Sequence, residues 1–212
     1  MSLPDKPSLR STMLSLLWLL IVPVINVFYG ILNHPGNHVY SLKIKLDLLV
    51  PFIPSFIIPY LLWYPFITFV LITLAFKNRH IYFQTLLALC VGLVTSYIFF
   101  ALFQTGIERP IPTESNFIHH LVRFVYSHDQ PYNCFPSIHV LTSYLMIKGA
   151  RILKKTIWVM ISVMSIFIIV STVFVKQHVL ADVIGGVLVA EISYRLCGIT
   201  ISFVQEKKQR SC

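Results

Sequence analysis

Three short polar segments interrupt an otherwise apolar chain, and each carries residues suited to chemistry on an anion. In "KQHVLAD", His178 and Asp182 are four residues apart, so on a helix they share one face, one turn apart. A carboxylate at that spacing accepts from one ring nitrogen and leaves the other as a base or nucleophile. In "NCFPSIH", Pro136 suits the first turn of a helix. The amides of Ser137 and Ile138 would then point out of the helix end, where hydrogen bonds and the dipole favour an anion. The Ser137 hydroxyl adds a donor, and His139, one turn in, is placed to protonate a leaving group. In "QTGIERP", Arg109 offers a planar fork matched to phosphate oxygens.

Taken singly, each segment has a plain structural reading: a capping histidine, a proline-started helix, an arginine reaching for headgroups. Together they describe a site. Arg109, Lys176 and Ser137 with its helix-end amides suit a doubly charged anion; His178 with Asp182 makes a nucleophile; His139 makes an acid. The chain has only eight acidic residues, scattered along its length, so no carboxylate cluster suits magnesium. His119, His120 and His128 read as a polar loop, with no carboxylate or cysteine to complete a ligand set. Cys134 reads as structural filler, and the four cysteines show neither a disulfide framework nor a zinc spacing. The expected chemistry is phosphoryl transfer without a metal or other cofactor.

The elements that position these groups are membrane helices. The 212 residues are 56% hydrophobic and 12% charged, about half the charge of a soluble domain. Six apolar segments are long enough to span, at roughly 13–33, 55–76, 81–103, 137–153, 156–175 and 179–203. The first lacks a small-residue cleavage site and reads as a retained helix. "LDLLVPFIPSFIIPY" is broken by Pro51, Pro54 and Pro59, and its first part reads as an interfacial element. The expected fold is therefore all-α: one membrane domain over residues 1–212, a bundle of six transmembrane helices with a short interfacial helix before the second. The net charge of +9 does not imply nucleic acid, because the basic residues punctuate the gaps between apolar runs.

Those basic residues also give an orientation. Lys6, Arg10, Lys77, Arg79, Lys148, Arg151, Lys154, Lys155, Arg195, Lys207, Lys208 and Arg210 fall on one side; Lys43, Lys45, Arg109, Arg123 and Lys176 fall on the other. Twelve against five puts both termini in the cytoplasm, in a multi-pass protein of the cell membrane. The same count gathers all three polar segments on the extracytoplasmic side, where a lipid phosphate reaches them from the bilayer.

With these residues in view, the chain resembles the type 2 phosphatidic acid phosphatase superfamily, whose pattern is Lys-x6-Arg-Pro, Pro-Ser-Gly-His and Ser-Arg-x5-His-x3-Asp. Here the segments are "LFQTGIERP", "PSIH" and "STVFVKQHVLAD", within residues 100–190. The resemblance implies that Arg109 and Ser137 bind phosphate, His139 is the general acid, and His178, supported by Asp182, is the nucleophile that becomes a phosphohistidine. Ser171 matches the third segment's serine. Departures are Leu102 for the lysine, with Gln104 the nearest polar substitute, Ile138 for the glycine, and Thr172 for the arginine, with Lys176 near enough to supply the charge. The implied activity is hydrolysis of a membrane lipid phosphate or pyrophosphate, such as phosphatidic acid, phosphatidylglycerol phosphate or undecaprenyl pyrophosphate. A lipid phosphotransferase of the inositol-phosphorylceramide-synthase type is the alternative. A small membrane transporter is the reading from another class, though transporters bind near the midplane rather than at one face.

Overall fold

The computed structural model describes residues 9–36 and 38–210; Lys6 and Cys212 lie outside them. Among the described residues seven helical runs follow one another: α1 (Leu9–Leu32), α2 (Pro54–Lys77), α3 (Arg79–Leu102), α4 (Phe117–His128), α5 (Ile138–Gly149), α6 (Lys155–Phe174) and α7 (Leu180–Arg210). Among the described residues there is no strand, only two isolated bridges, Tyr40 with Thr105 and Gly106 with Tyr132. The all-helical expectation holds.

Five of the helices, α1, α2, α3, α6 and the Leu180–Val204 part of α7, are long and apolar enough to cross a membrane. The expected sixth span, 137–153, is the shorter α5 of 12 residues followed by a 3-10 turn, Ala150–Ile152. At 1.5 Å per residue α5 covers about 18 Å, less than the roughly 30 Å of a hydrocarbon core. Its setting explains the tolerance. α5 is sheathed by α2, α3, α6 and α7, and most of its residues are buried. A helix enclosed by protein has no lipid thickness to match.

The core follows from that arrangement. Leu141, Leu145 and Met146 of α5 are fully buried with Leu89 and Leu93 of α3 and Leu71 and Leu74 of α2. Side chains such as Val24, Val27 and Ile31 of α1 are exposed, as suits a helix on the outside of a bundle in lipid. At the basic end of the bundle Glu191 of α7 takes Lys148 at 2.9 Å and the Tyr144 hydroxyl at 2.9 Å, tying α5 to α7.

Two connections differ from the sequence reading. A single 3-10 turn, Lys45–Leu48, stands where the interfacial helix was expected; it buries Asp47 and exposes Leu46, Leu48 and Leu49. The segment holding His119, His120 and His128 is a helix rather than a polar loop. The Asn116 side chain caps it by accepting from the His119 amide at 2.9 Å, and Val122 and Val125 give it an apolar face against Ile57 and Tyr60. That face was the missed signal.

Candidate active site

The site forms where three connections meet beside the start of α5. His178 lies in the loop from α6 to α7, held by its amide donating to the Thr172 carbonyl at 3.1 Å. Asp182 occupies the first turn of α7, where free amides favour a carboxylate. Its Oδ2 accepts from the Val179 amide at 3.0 Å and lies 3.3 Å from His178 Nδ1. The pair therefore meets across a helix start rather than along one helical face, because α7 begins two residues after His178. Both side chains are buried, and His178 Nε2 carries no hydrogen bond to a described residue.

His139 is the second residue of α5, so it sits in the first turn rather than one turn in. Its ring is stacked on Tyr60 at 4.5 Å and tilted against Trp63 at 3.9 Å, and it meets the His178 ring at 5.8 Å between centroids. Its Nδ1 is buried with no hydrogen-bond partner among the described residues. The two histidines thus face each other without bonding to each other.

Ser137 is the N-cap of α5, its hydroxyl accepting from the Val140 amide at 3.4 Å. Pro136 therefore precedes the cap and lies outside the first turn. The Ser137 amide was expected to be free for an anion; instead it donates to the Asp182 carbonyl at 3.1 Å. That bond fastens the start of α5 to the start of α7. The close approach needs Gly186, where a Cβ would fall 2.6 Å from the Ser137 carbonyl oxygen. Ile138 keeps its amide at the helix start, among the donors with no intrahelical acceptor.

Arg109 donates to the Asp129 carbonyl at 2.6 Å, to the Gln130 carbonyl at 3.3 Å and to Gln177 Oε1, and its guanidinium carbon lies 4.8 Å over the Tyr126 ring. Its partners are the end of α4 and the residue preceding His178, so it braces the histidine loop. Lys176 donates to the Val50 carbonyl at 2.6 Å. Arg109, Lys176 and His178 line one cavity of about 420 Å³ with Lys43 and Asp47. Ile138 and His139 open instead onto a second cavity of about 250 Å³, lined also by Tyr29, Tyr60 and Asp129.

Gln104 is not brought to either cavity. Its amide nitrogen donates to the His34 carbonyl at 2.9 Å and to Asn133 Oδ1 at 3.0 Å, and its oxygen accepts from the Gly36 amide at 2.7 Å. Those bonds use it as scaffold. Glu108 pairs with Lys43 at 3.9 Å rather than with its neighbour Arg109. Ser171 is buried and donates to the Ile168 carbonyl at 2.6 Å within its own helix.

A model of the PAP2 superfamily matches residues 52–196, from just before α2 into the middle of α7. The chain belongs to the PAP2 superfamily. No curated protein and no solved structure matches it. Members of this superfamily are phosphatases.

Several residues around the site were invisible to the motifs. Asp129 accepts from the Tyr29 hydroxyl at 2.5 Å and the Tyr60 hydroxyl at 3.1 Å. Asp47 accepts from the Leu180 amide at 2.8 Å, fastening the 3-10 turn to the start of α7. Cys134 is the largest surprise: its sulfur, a His178 nitrogen and an Asp182 oxygen all lie within 4.8 Å of one another. Burial pushes the Cys134 thiol pKa well up, and the Asp182 charge adds to that. Burial also raises the Tyr126 phenol to about 12, so it stays a neutral donor to the Val175 carbonyl at 2.7 Å.

Proposed function

We propose that this PAP2 superfamily member is a membrane lipid phosphatase that works through a phosphohistidine without a metal cofactor. The observation that carries this reading is His178 with Asp182 on Nδ1 and Nε2 unbonded, in a cavity shared with three cations, Lys43, Arg109 and Lys176. A dianionic phosphate against Arg109 and Lys176 would occupy the cavity that His178 also lines. In-line attack forms the P–N bond as the P–O bond to the lipid breaks, and His139 gives its proton to the departing oxygen. Asp182 fixes the tautomer and stabilises the imidazolium that develops. His139 then takes a proton from water, which displaces His178 and releases inorganic phosphate. Positioning and charge account for most of the acceleration, as in phosphoryl transfer generally.

The expected lipids are phosphatidic acid, phosphatidylglycerol phosphate and undecaprenyl pyrophosphate, approached from the extracytoplasmic leaflet with both termini in the cytoplasm. Exposed Leu48 lines the cavity, and exposed Leu46 and Leu49 are its neighbours in sequence, which suits an entrance level with lipid. The deciding experiment is phosphate release from these lipids by purified protein. Wild type should turn over at least one of them with or without EDTA, and His178→Ala should not. Full activity in His178→Ala removes the phosphohistidine.

One observation favours a second reading. The cavity at His139 measures about 250 Å³, whereas one water occupies about 30 Å³ in the liquid. That space admits an alcohol acceptor, which would make the enzyme a phosphotransferase. Labelled lipid product in place of free phosphate separates the two.

A further inference from the structure

We propose that Cys134, His178 and Asp182 form an inhibitory binding site for a zinc-like divalent cation. The three donors come from two stretches of chain: Cys134 from the entry to α5, and His178 and Asp182 from the end of the α6–α7 loop and the first turn of α7. Their ligand atoms lie within 4.8 Å of one another, and all three residues are buried. Ligand atoms around tetrahedral zinc, at bond lengths of about 2.0–2.3 Å, stand about 3.5 Å apart. Small side-chain rotations therefore close the set.

A second observation points to a ligand. Asp182 is fully buried, and while its Oδ2 takes two hydrogen bonds, its Oδ1 has none among the described residues. A buried carboxylate oxygen without a partner is costly, and native structures nearly always satisfy such atoms. A cation between Asp182, His178 and Cys134 would satisfy it. The identity of the ion follows from the donors. One sulfur, one imidazole nitrogen and one carboxylate oxygen suit zinc, whereas magnesium and calcium take oxygen sets. Three protein ligands leave a fourth position for water or a phosphate oxygen.

The consequence rests on the phosphohistidine reading. A metal on His178 Nε2 takes the lone pair that must attack phosphorus, and a metal on Nδ1 displaces Asp182 and leaves the ring proton on Nε2, so either mode stops the attack. Bound zinc is thus an inhibitor that a chelator reverses, which fits turnover that needs no metal. On binding, the Cys134 thiol gives its proton to solvent and the sulfur–metal bond replaces the S–H bond.

The test uses purified protein carrying Cys212→Ser, so that the C-terminal thiol contributes no sulfur. One equivalent of zinc is added and its coordination is read by X-ray absorption; cobalt in its place reports a thiolate ligand by optical absorption. The expected result is one sulfur ligand, lost in Cys134→Ser. Zinc should inhibit phosphate release, magnesium should not, and Cys134→Ser should raise the inhibition constant at least tenfold while His120→Ala leaves it unchanged. A zinc shell of nitrogen and oxygen alone overturns the site, and that measurement needs no variant that must fold. Equal inhibition of the parent and Cys134→Ser overturns it as well. Zinc-free turnover, measured alongside, tests the phosphatase reading separately.

Discussion

Tyr60 is stacked on His139, ring centroids 4.5 Å apart at 28°, and its hydroxyl donates to Asp129 at 3.1 Å. The stack comes from α2 and the carboxylate from the end of α4, so two elements outside the recognised motifs decide where the candidate acid points. Trp63, whose ring lies 3.9 Å from that of His139, is fixed by donating to Thr142 at 2.7 Å. His139 is clamped by two anchored rings.

Removing the stack should therefore cost turnover without changing the chemistry available. Tyr60→Leu is expected to lower kcat about tenfold to a hundredfold, the scale at which misplacement of a reacting group is felt. Tyr60→Phe keeps the ring and loses only the bond to Asp129, so its loss should be smaller. Steady-state phosphate release compares them, and equal activity in wild type and Tyr60→Leu would show that the clamp is irrelevant.

Asp182→Asn tests the orienting carboxylate. The amide can no longer stabilise an imidazolium and favours the wrong tautomer, so kcat should fall at least a hundredfold. Rapid-quench trapping should show less phosphohistidine at the same substrate occupancy. Normal trapping with slow release would instead place Asp182 in the hydrolysis step.

Residue types and spacing made His178, Asp182, His139 and Arg109 candidates, and the structure brings His139 and His178 to 5.8 Å between ring centroids and braces Arg109 against Gln177. The braces around them were not legible in the sequence. Asp47 and Leu180 are 133 positions apart, and nothing in either segment announces their bond. The helix of His119 and His128 was missed because polar residues outweighed an apolar face formed by Val122 and Val125. Gln104 failed for a different reason. Proximity to the family's lysine position suggested a phosphate donor, but the loop residues Gly36 and His34 claim its side chain. The count of six spans is not confirmed: 137–153 is apolar enough to look like a span, yet its helix has 12 residues, a length that enclosure by the bundle tolerates.

Asp47 should matter for stability more than for catalysis. It is buried, and its carboxylate serves the amides of Ile44 and Leu180. Asp47→Ala leaves both donors without that acceptor, at about 1–3 kcal/mol. Thermal unfolding in detergent should show a lowered midpoint, with kcat at low temperature changed less than tenfold. An unaltered midpoint would mean that the turn is not fastened to α7 in solution.

Arg109→Lys is not conservative here. One guanidinium reaches the carbonyls of Asp129 and Gln130 and the side chain of Gln177 while lying over Tyr126. A lysine ammonium cannot hold that planar set, so the loop carrying His178 loses its brace although the charge remains. Arg109→Lys should therefore resemble Arg109→Ala, with kcat/KM down more than tenfold in both. Near-wild-type activity in Arg109→Lys would reduce the role to charge alone.

Lys176 makes the pH-dependent prediction. Its φ is 53°, a left-handed conformation that costs a residue with a side chain about 1 kcal/mol or more, and its ammonium donates to the Val50 carbonyl at 2.6 Å. Burial lowers its pKa from the ordinary lysine value, Asp47 opposes that, and Lys43 adds to it. The sign is clear: the ammonium gives up its proton at lower pH than a free lysine, and the attraction for a phosphate dianion goes with it. KM for a lipid phosphate should therefore begin to rise on the alkaline side before the ordinary lysine range. Lys176→Arg, charged throughout, should move that rise to higher pH. Lys176→Gly removes charge and backbone strain together, so KM at neutral pH should rise about tenfold, the worth of one nearby charge, while thermal stability holds or improves. An alkaline KM profile identical in wild type and Lys176→Arg would take Lys176 out of phosphate binding and leave it as a brace for the His178 loop.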